Sequence, residues 1–187
     1  DEQPFVDLDS EALDFRAASE LFASVRRLSQ QDLEALGLTV RHRNKLVPTV
    51  GGILLFGKSR LRLFPDAYLQ AARFGGTDRT RIHDTADFDG PIPAMADQAI
   101  GFLRKHEAVA IEIKEPRHQE RWPVPLLAIR EALINALVHA DYSQRGAPIR
   151  LALFDDRIEI ENPGLLPFGL TIEDILAGVS KLRNRVI

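Results

Sequence analysis

Residues 130–164 read REALINALVHADYSQRGAPIRLALFDDRIEIENPG, and the fold class turns on them. Leu126, Ile129, Leu133, Ala136, Leu137 and Ala140 recur at helical spacing and predict a helix over 125–139 with those residues on its core face. Beyond it Ile149, Leu151 and Leu153 alternate, and Ile158 and Ile160 return across Asp155-Asp156, which predicts a hairpin with strands near 148–154 and 157–161. The second strand ends in Asn162-Pro163-Gly164. Pro163 holds Asn162 extended, and Gly164 lets a ligand approach the backbone.

On the same helix Glu131, Asn135 and His139 fall four apart and stack along a face that differs from the core stripe. If that face lines a pocket, Glu131 can take a proton from water and the Asn135 amide oxygen can ligate a hard cation such as magnesium. The structural alternative is equally concrete: Glu131 in a surface ion pair, Asn135 bonded to the neighbouring hairpin, and His139 at the helix C-terminus, where the dipole favours a cation.

Moving outward, Tyr68–Gly76 and Arg79–Phe88, bounded by Gly75-Gly76 and Gly90-Pro91, read as a strand pair. Pro91 and Pro93 open a helix to about Glu107, and VAIEIKE (109–115) reads as a further strand. With a last helix from about Thr171, the order β-β-α-β-α-β-β-α predicts an α+β fold, a mixed sheet with helices on one face. Before it, residues 9–36 predict two helices N-capped by Ser10 and Ser29, with Gly37 stopping the second. LTVRHRNKLVPTVGGILLFG then predicts a short hairpin and a helix opening at Thr49. A helical or winged segment over 1–65 followed by an α/β sandwich over 66–187 is the expected organisation.

The chain of 187 residues is 45% hydrophobic and 27% charged, enough for a sizeable core. No apolar run approaches a membrane span, and the acidic opening DEQPFVDLDSEALD is unlike a signal peptide, so a cytoplasmic setting is expected. The chain has no cysteine, which removes disulfides and thiol nucleophiles together. It opens on Asp1 and stops after a basic cluster, so a piece of a longer protein is expected. Its net charge is -3, yet residues 16–62 are rich in bases, and Arg41, Arg43 and Lys45 are the candidate contacts to nucleic-acid phosphate. The five histidines have no metal-ligand spacing, and His106 and His118 sit in polar stretches suited to solvent. Trp122 reads as a plug under the sheet or an exposed stacking residue.

Gly52–Ser59, GILLFGKS, satisfies the phosphate-loop pattern G-x-x-x-x-G-K-[ST]. Four consecutive apolar residues fit poorly in a loop that must offer bare amides to phosphate, and Pro65 leaves little room for the long helix that should follow. ILLF reads instead as a buried helix or strand.

REALINALVHADYSQRGAPIRLALFDDRIEIENPGLLPFGLTIEDILAG, with GGILLFGKSRLRLFPDAYLQAARFGGTDRTRIHDTADFDGPI before it, resembles the RecG-like C-terminal region of bacterial and archaeal transcriptional regulators, often labelled ATP-dependent DNA helicase RecG-related. The resemblance covers about Gly51 to Ile187. It implies a GHKL-like two-layer sandwich, usually following a Schlafen AlbA-type domain implicated in nucleic-acid binding. No helicase motor motif is present. By this resemblance Glu131 takes the general-base position and Asn135 the magnesium-binding position, with His139, Asn162 and Gly164 beside the nucleotide and ATP with magnesium as the implied cofactors. Where GHKL proteins read adenine with Asp-x-Gly-x-Gly, this chain has Asn162-Pro163-Gly164-Leu165-Leu166, an amide for the carboxylate and a leucine for the second glycine. The phosphate-covering box is expected beyond Ile187. The expected function is a regulatory module of a DNA-associated protein with a degenerate nucleotide site, acting through oligomerisation or partner contact. The alternative is an ATPase domain that needs segments outside this chain. DNA is an expected partner, as is a homodimer through the free sheet edges.

Overall fold

The chain folds as two units, one formed by Asp1–Ala67 with Leu165–Ile187 and the other by Tyr68–Gly164. A computed structural model describes residues 1–23, 27–113, 125–167, 169–179 and 181–187, with 107–113 described by backbone alone.

In the first unit the expected opening helix is split. Leu13 is extended, buried and bridged to Gly57, so a 3-10 turn at Ser10–Ala12 stops before it and α1 (Phe15–Phe22) starts after it. Ser10 is therefore not the cap. Asp9 caps the turn and Asp14 caps α1, each carboxylate accepting a backbone amide at 3.0 Å. Ser29 does precede α2 (Gln30–Ala35), its amide and hydroxyl both donating to Asp32 at 2.6 and 2.7 Å. The hairpin β1 (Thr39–His42) and β2 (Lys45–Pro48) turns through Arg43 and Asn44, both at positive φ, 47° and 63°. Thr49 caps α3 (Val50–Phe56), accepting from Gly52 at 2.9 Å, and α4 (Arg60–Leu63) follows.

α3 shows why GILLFGKS is no phosphate loop. Gly51 through Phe56 are buried, and the Gly52, Ile53 and Gly57 amides are already spent on Thr49 and on the helix itself. A Cβ on Gly52 would lie 2.1 Å from the Leu38 carbonyl oxygen, so this glycine exists to let helix and chain meet backbone to backbone.

The second unit contains β3 (Leu69–Phe74), β4 (Ile82–Phe88), α5 (Ile92–Ile113), α6 (Leu126–His139), β5 (Ile149–Leu153) and β6 (Ile158–Glu161). Its sheet runs β4-β3-β5-β6, with β3 and β5 parallel in the register Leu69 to Ile149 and both outer pairs antiparallel. The expected α+β class holds. α5 and α6 form the crossover between the parallel strands and cover one face, α5 packing on β3 and β4 and α6 on β6. Leu69, Ala71, Ile149, Leu151 and Leu153 of the strands and Met95, Ala99, Leu103, Ile129, Leu133 and Leu137 of the helices are all buried. Each large side chain in this layer contributes about 1.5–3 kcal/mol by leaving water. Leu126, expected in the core stripe, is 37% exposed because it sits in the first turn, ahead of the covered part of α6.

The strand expected at VAIEIKE is absent as far as Ile113, where the backbone still belongs to α5; Lys114 and Glu115 lie outside the described residues. Its alternating apolar residues suggested a strand, but no glycine or proline intervenes after Gly101, and a growing helix gains a bond per residue until something stops it. His106 is also not in solvent. Its side chain is 11% exposed, 3.0 Å from Asp84 and with its ring centroid 4.6 Å from that of Phe102. His118 and Trp122 lie outside the described residues.

A second, small apolar cluster of Phe74, Ala152 and Phe154, with Ala72, occupies the other face of the sheet. The two phenyl rings stack at 5.0 Å, and the Arg157 guanidinium caps Phe154 at 4.0 Å. Around it the β3–β4 loop is tied to the β5–β6 turn: Arg73 bonds Asp155, Arg79 bonds Glu159 and Glu161, and Arg157 bonds Asp156 and Glu159. The bond from Arg73, helped by the Gly76 amide, holds the Asp155 carboxyl below the usual carboxylate range.

After Gly164 the chain rejoins the first unit. α7 (Ile172–Leu176) opens with a capping box of Thr171 and Asp174, and Val186 lies over Gly51 while its amide donates to Asp1 at 2.7 Å. Among the described residues no helix is long and apolar enough to cross a membrane.

Two expectations follow from this packing. Gly52→Ala should cost about 2–3 kcal/mol in urea denaturation, since the new methyl must displace backbone. Gly101→Ala, in α5 with nothing within 4 Å of its Cβ, should be neutral or stabilising by up to about 1 kcal/mol. Because the folded pKa of Asp155 is depressed, its contribution to stability is present above the unfolded carboxylate range and is lost as pH falls through and below that range. Melting temperature should therefore fall less steeply with acidification in Asp155→Asn than in the native chain.

Candidate functional site

α6 has a buried face of Ile129, Leu133, Ala136 and Leu137 and turns Glu131 and Asn135 fully outward, with His139 half-buried in its last turn. Among the described residues none of these three polar side chains takes a hydrogen bond or ion pair, and neither the ion pair weighed for Glu131 nor the hairpin bond weighed for Asn135 is found there. The neighbouring Arg130 does pair, with Asp97 of α5 at 3.2 Å.

The end of α6 is fixed to the end of β6. The Asp141 amide donates to the Pro163 carbonyl at 2.9 Å, and the Asp141 carboxylate accepts from the Ser143 amide and hydroxyl at 3.1 and 2.6 Å. Tyr142 closes the helix by donating to the Leu137 carbonyl at 2.8 Å. His139, two residues before Asp141, is thus brought to the same end of the sheet as Asn162 and Gly164, which flank Pro163 and are exposed. Gly164 has φ 117°, a conformation side chains rarely adopt. Asn135 lies about 6 Å and Glu131 about 12 Å back along the helix axis from His139. A ligand touching all five residues must lie extended along α6.

Magnesium suits this donor set only in part. Asn135 offers one amide oxygen, and the ion ordinarily completes its shell with water and phosphate oxygens. No group of three His, Asp or Glu among the described residues is placed to hold a metal. The dense ion-pair network of Arg73, Arg79 and Arg157, which the sequence reading missed, runs along β6 from the Asp155-Asp156 turn to Glu161, the residue before Asn162. Its signal was the acid alternation in Asp155–Glu161 facing an arginine-bearing loop.

Arg41, Arg43 and Lys45 stand exposed on the β1–β2 hairpin of the first unit. The two positive-φ residues set Arg43 at the tip, and Arg41 leans to Glu34 at 3.3 Å.

No curated protein and no solved structure matches the chain. Residues 146–187 match the family model described as "Putative ATP-dependent DNA helicase recG C-terminal". That stretch holds β5, β6 and the Asn162-Pro163-Gly164 turn but not α6, so Glu131, Asn135 and His139 fall outside it. Over residues 146–187 the chain is thus similar to a RecG-related C-terminal region, and the resemblance read from the sequence holds there.

Proposed function

We propose that this chain is a regulatory module of a bacterial or archaeal DNA-associated protein, cytoplasmic, with a degenerate GHKL-like nucleotide site, acting through oligomerisation or partner contact. One observation carries this: Glu131 and Asn135, the residues with the chemistry, stand exposed on the flank of α6 with no described partner. A general base needs a site from which water is excluded and in which its geometry is fixed by neighbours. Asn162 supports the same reading, since an amide meets an exocyclic amine through its oxygen without charge assistance. A role through partner contact is supported by the run Leu165–Leu182, where Leu165, Ile172, Leu176 and Leu182 are 85, 64, 83 and 62% exposed.

The second reading, an ATPase domain completed by other segments, is favoured by the family match and by the bond that holds Asn162-Pro163-Gly164 against the end of α6. Calorimetry with magnesium-ATP, beside a phosphate-release assay, separates the two. The regulatory reading expects little heat and no turnover, with Glu131→Ala and Asn135→Ala indistinguishable from the native chain. The ATPase reading expects affinity to drop about tenfold in Asn135→Ala, the loss of one good ligand, and release to vanish in Glu131→Ala.

The basic hairpin is the proposed DNA contact. Replacing Arg41, Arg43 and Lys45 by alanine should weaken duplex binding and flatten the slope of log K against log salt by about 1 for each cation that meets a phosphate. Unchanged binding at two salt concentrations removes the hairpin as a contact.

A further inference from the structure

α2 stands beside the basic hairpin, and its exposed face differs in kind from the hairpin's. Leu33, 2% exposed, pins the helix to the core, and Asp32 is turned back onto Ser29 in the capping box. At about 100° per residue the remaining side chains, Gln30, Gln31, Glu34 and Ala35, fall within one arc of about 140°. All four are exposed, and among the described residues neither glutamine side chain makes a hydrogen bond. Arg41 of β1 reaches the same face, with its guanidinium 3.3 Å from Glu34, so the helix face and the hairpin form one continuous surface.

The two parts sort by chemistry. Arg41, Arg43 and Lys45 are long cations, suited to phosphate. The α2 face carries two amides, one carboxylate and one methyl, the groups that meet base edges in a major groove: an amide pairs with adenine, a carboxylate accepts from cytosine, and a methyl packs on that of thymine. We propose that α2 reads base edges in the major groove of a DNA duplex while the adjoining hairpin holds the phosphates. The inference rests on the DNA contact proposed for the hairpin and adds sequence specificity to it. Charge supports this occupant, since three cations face one acid here on a chain whose net charge is -3. Glu34 repels phosphate and so belongs over bases. The duplex draws Arg41 from Glu34 to a phosphate and frees the carboxylate for a base; both partners are exposed, at 69 and 40%, so the pair opens at little cost. At about 9 Å long, α2 spans about three base pairs.

Selection of DNA duplexes from a random-sequence library tests this. The native chain is expected to enrich a motif of about three base pairs. Gln30→Ala with Gln31→Ala should lower discrimination within that motif about tenfold. Glu34→Gln should relax a different position of it while strengthening binding to unrelated duplexes, because a charge that repels phosphate is gone. Alanine at Arg41, Arg43 and Lys45 should instead weaken every sequence alike. Circular dichroism checks that each variant folds. An RNA duplex of the enriched sequence should compete at least about tenfold more weakly, because its deep, narrow major groove excludes side chains. Salt-dependent binding that enriches no motif, a motif unaltered by the glutamine and Glu34 changes, or equal competition by RNA overturns the role of α2 and leaves the hairpin contact standing. No binding to any duplex removes both.

Discussion

The second unit depends on the parallel pairing of β3 with β5, whose residues lie 80 positions apart in the chain. Two parallel neighbours cannot be joined by a tight turn, so the intervening chain must cross over one face of the sheet. α5 and α6 are that crossing. The pairing therefore decides which side chains of α6 are buried against the sheet and which are left on its flank. Glu131 and Asn135 owe their exposure to this constraint as much as to their own polarity.

Local periodicity made most of the elements legible. The 3.6-residue spacing from Ile129 to Ala140 and the alternation through Ile149–Leu153 and Ile158–Ile160 identify helix and hairpin because burial on one face leaves a regular imprint. Where the sequence misled, the deciding contact was distant. Leu13 leaves the helix because Gly57, far along the chain, takes it as a strand partner. His106 sits in a polar stretch yet bonds Asp84, 22 residues earlier on β4, with Phe102 one helical turn away beside its ring. VAIEI alternates like a strand, but an uninterrupted helix reaches it first.

The candidate site was legible in its parts and illegible in its assembly. Glu131, Asn135 and His139 declare a shared face by spacing alone, and Asn162-Pro163-Gly164 declares a strand end. Nothing local foretells the backbone bond from Asp141 to Pro163 that joins the end of α6 to the end of β6. The same lesson holds for GILLFGKS, whose glycines match a nucleotide pattern but serve a backbone contact with Leu38.

The division of the chain also orders its folding. The second unit is one continuous stretch, Tyr68–Gly164, whereas the first joins Asp1–Ala67 to Leu165–Ile187. The first unit closes only when Val186 returns to Gly51 and Asp1. That contact spans the whole of the second unit in sequence, so it forms only after the chain between Gly51 and Val186 has been made.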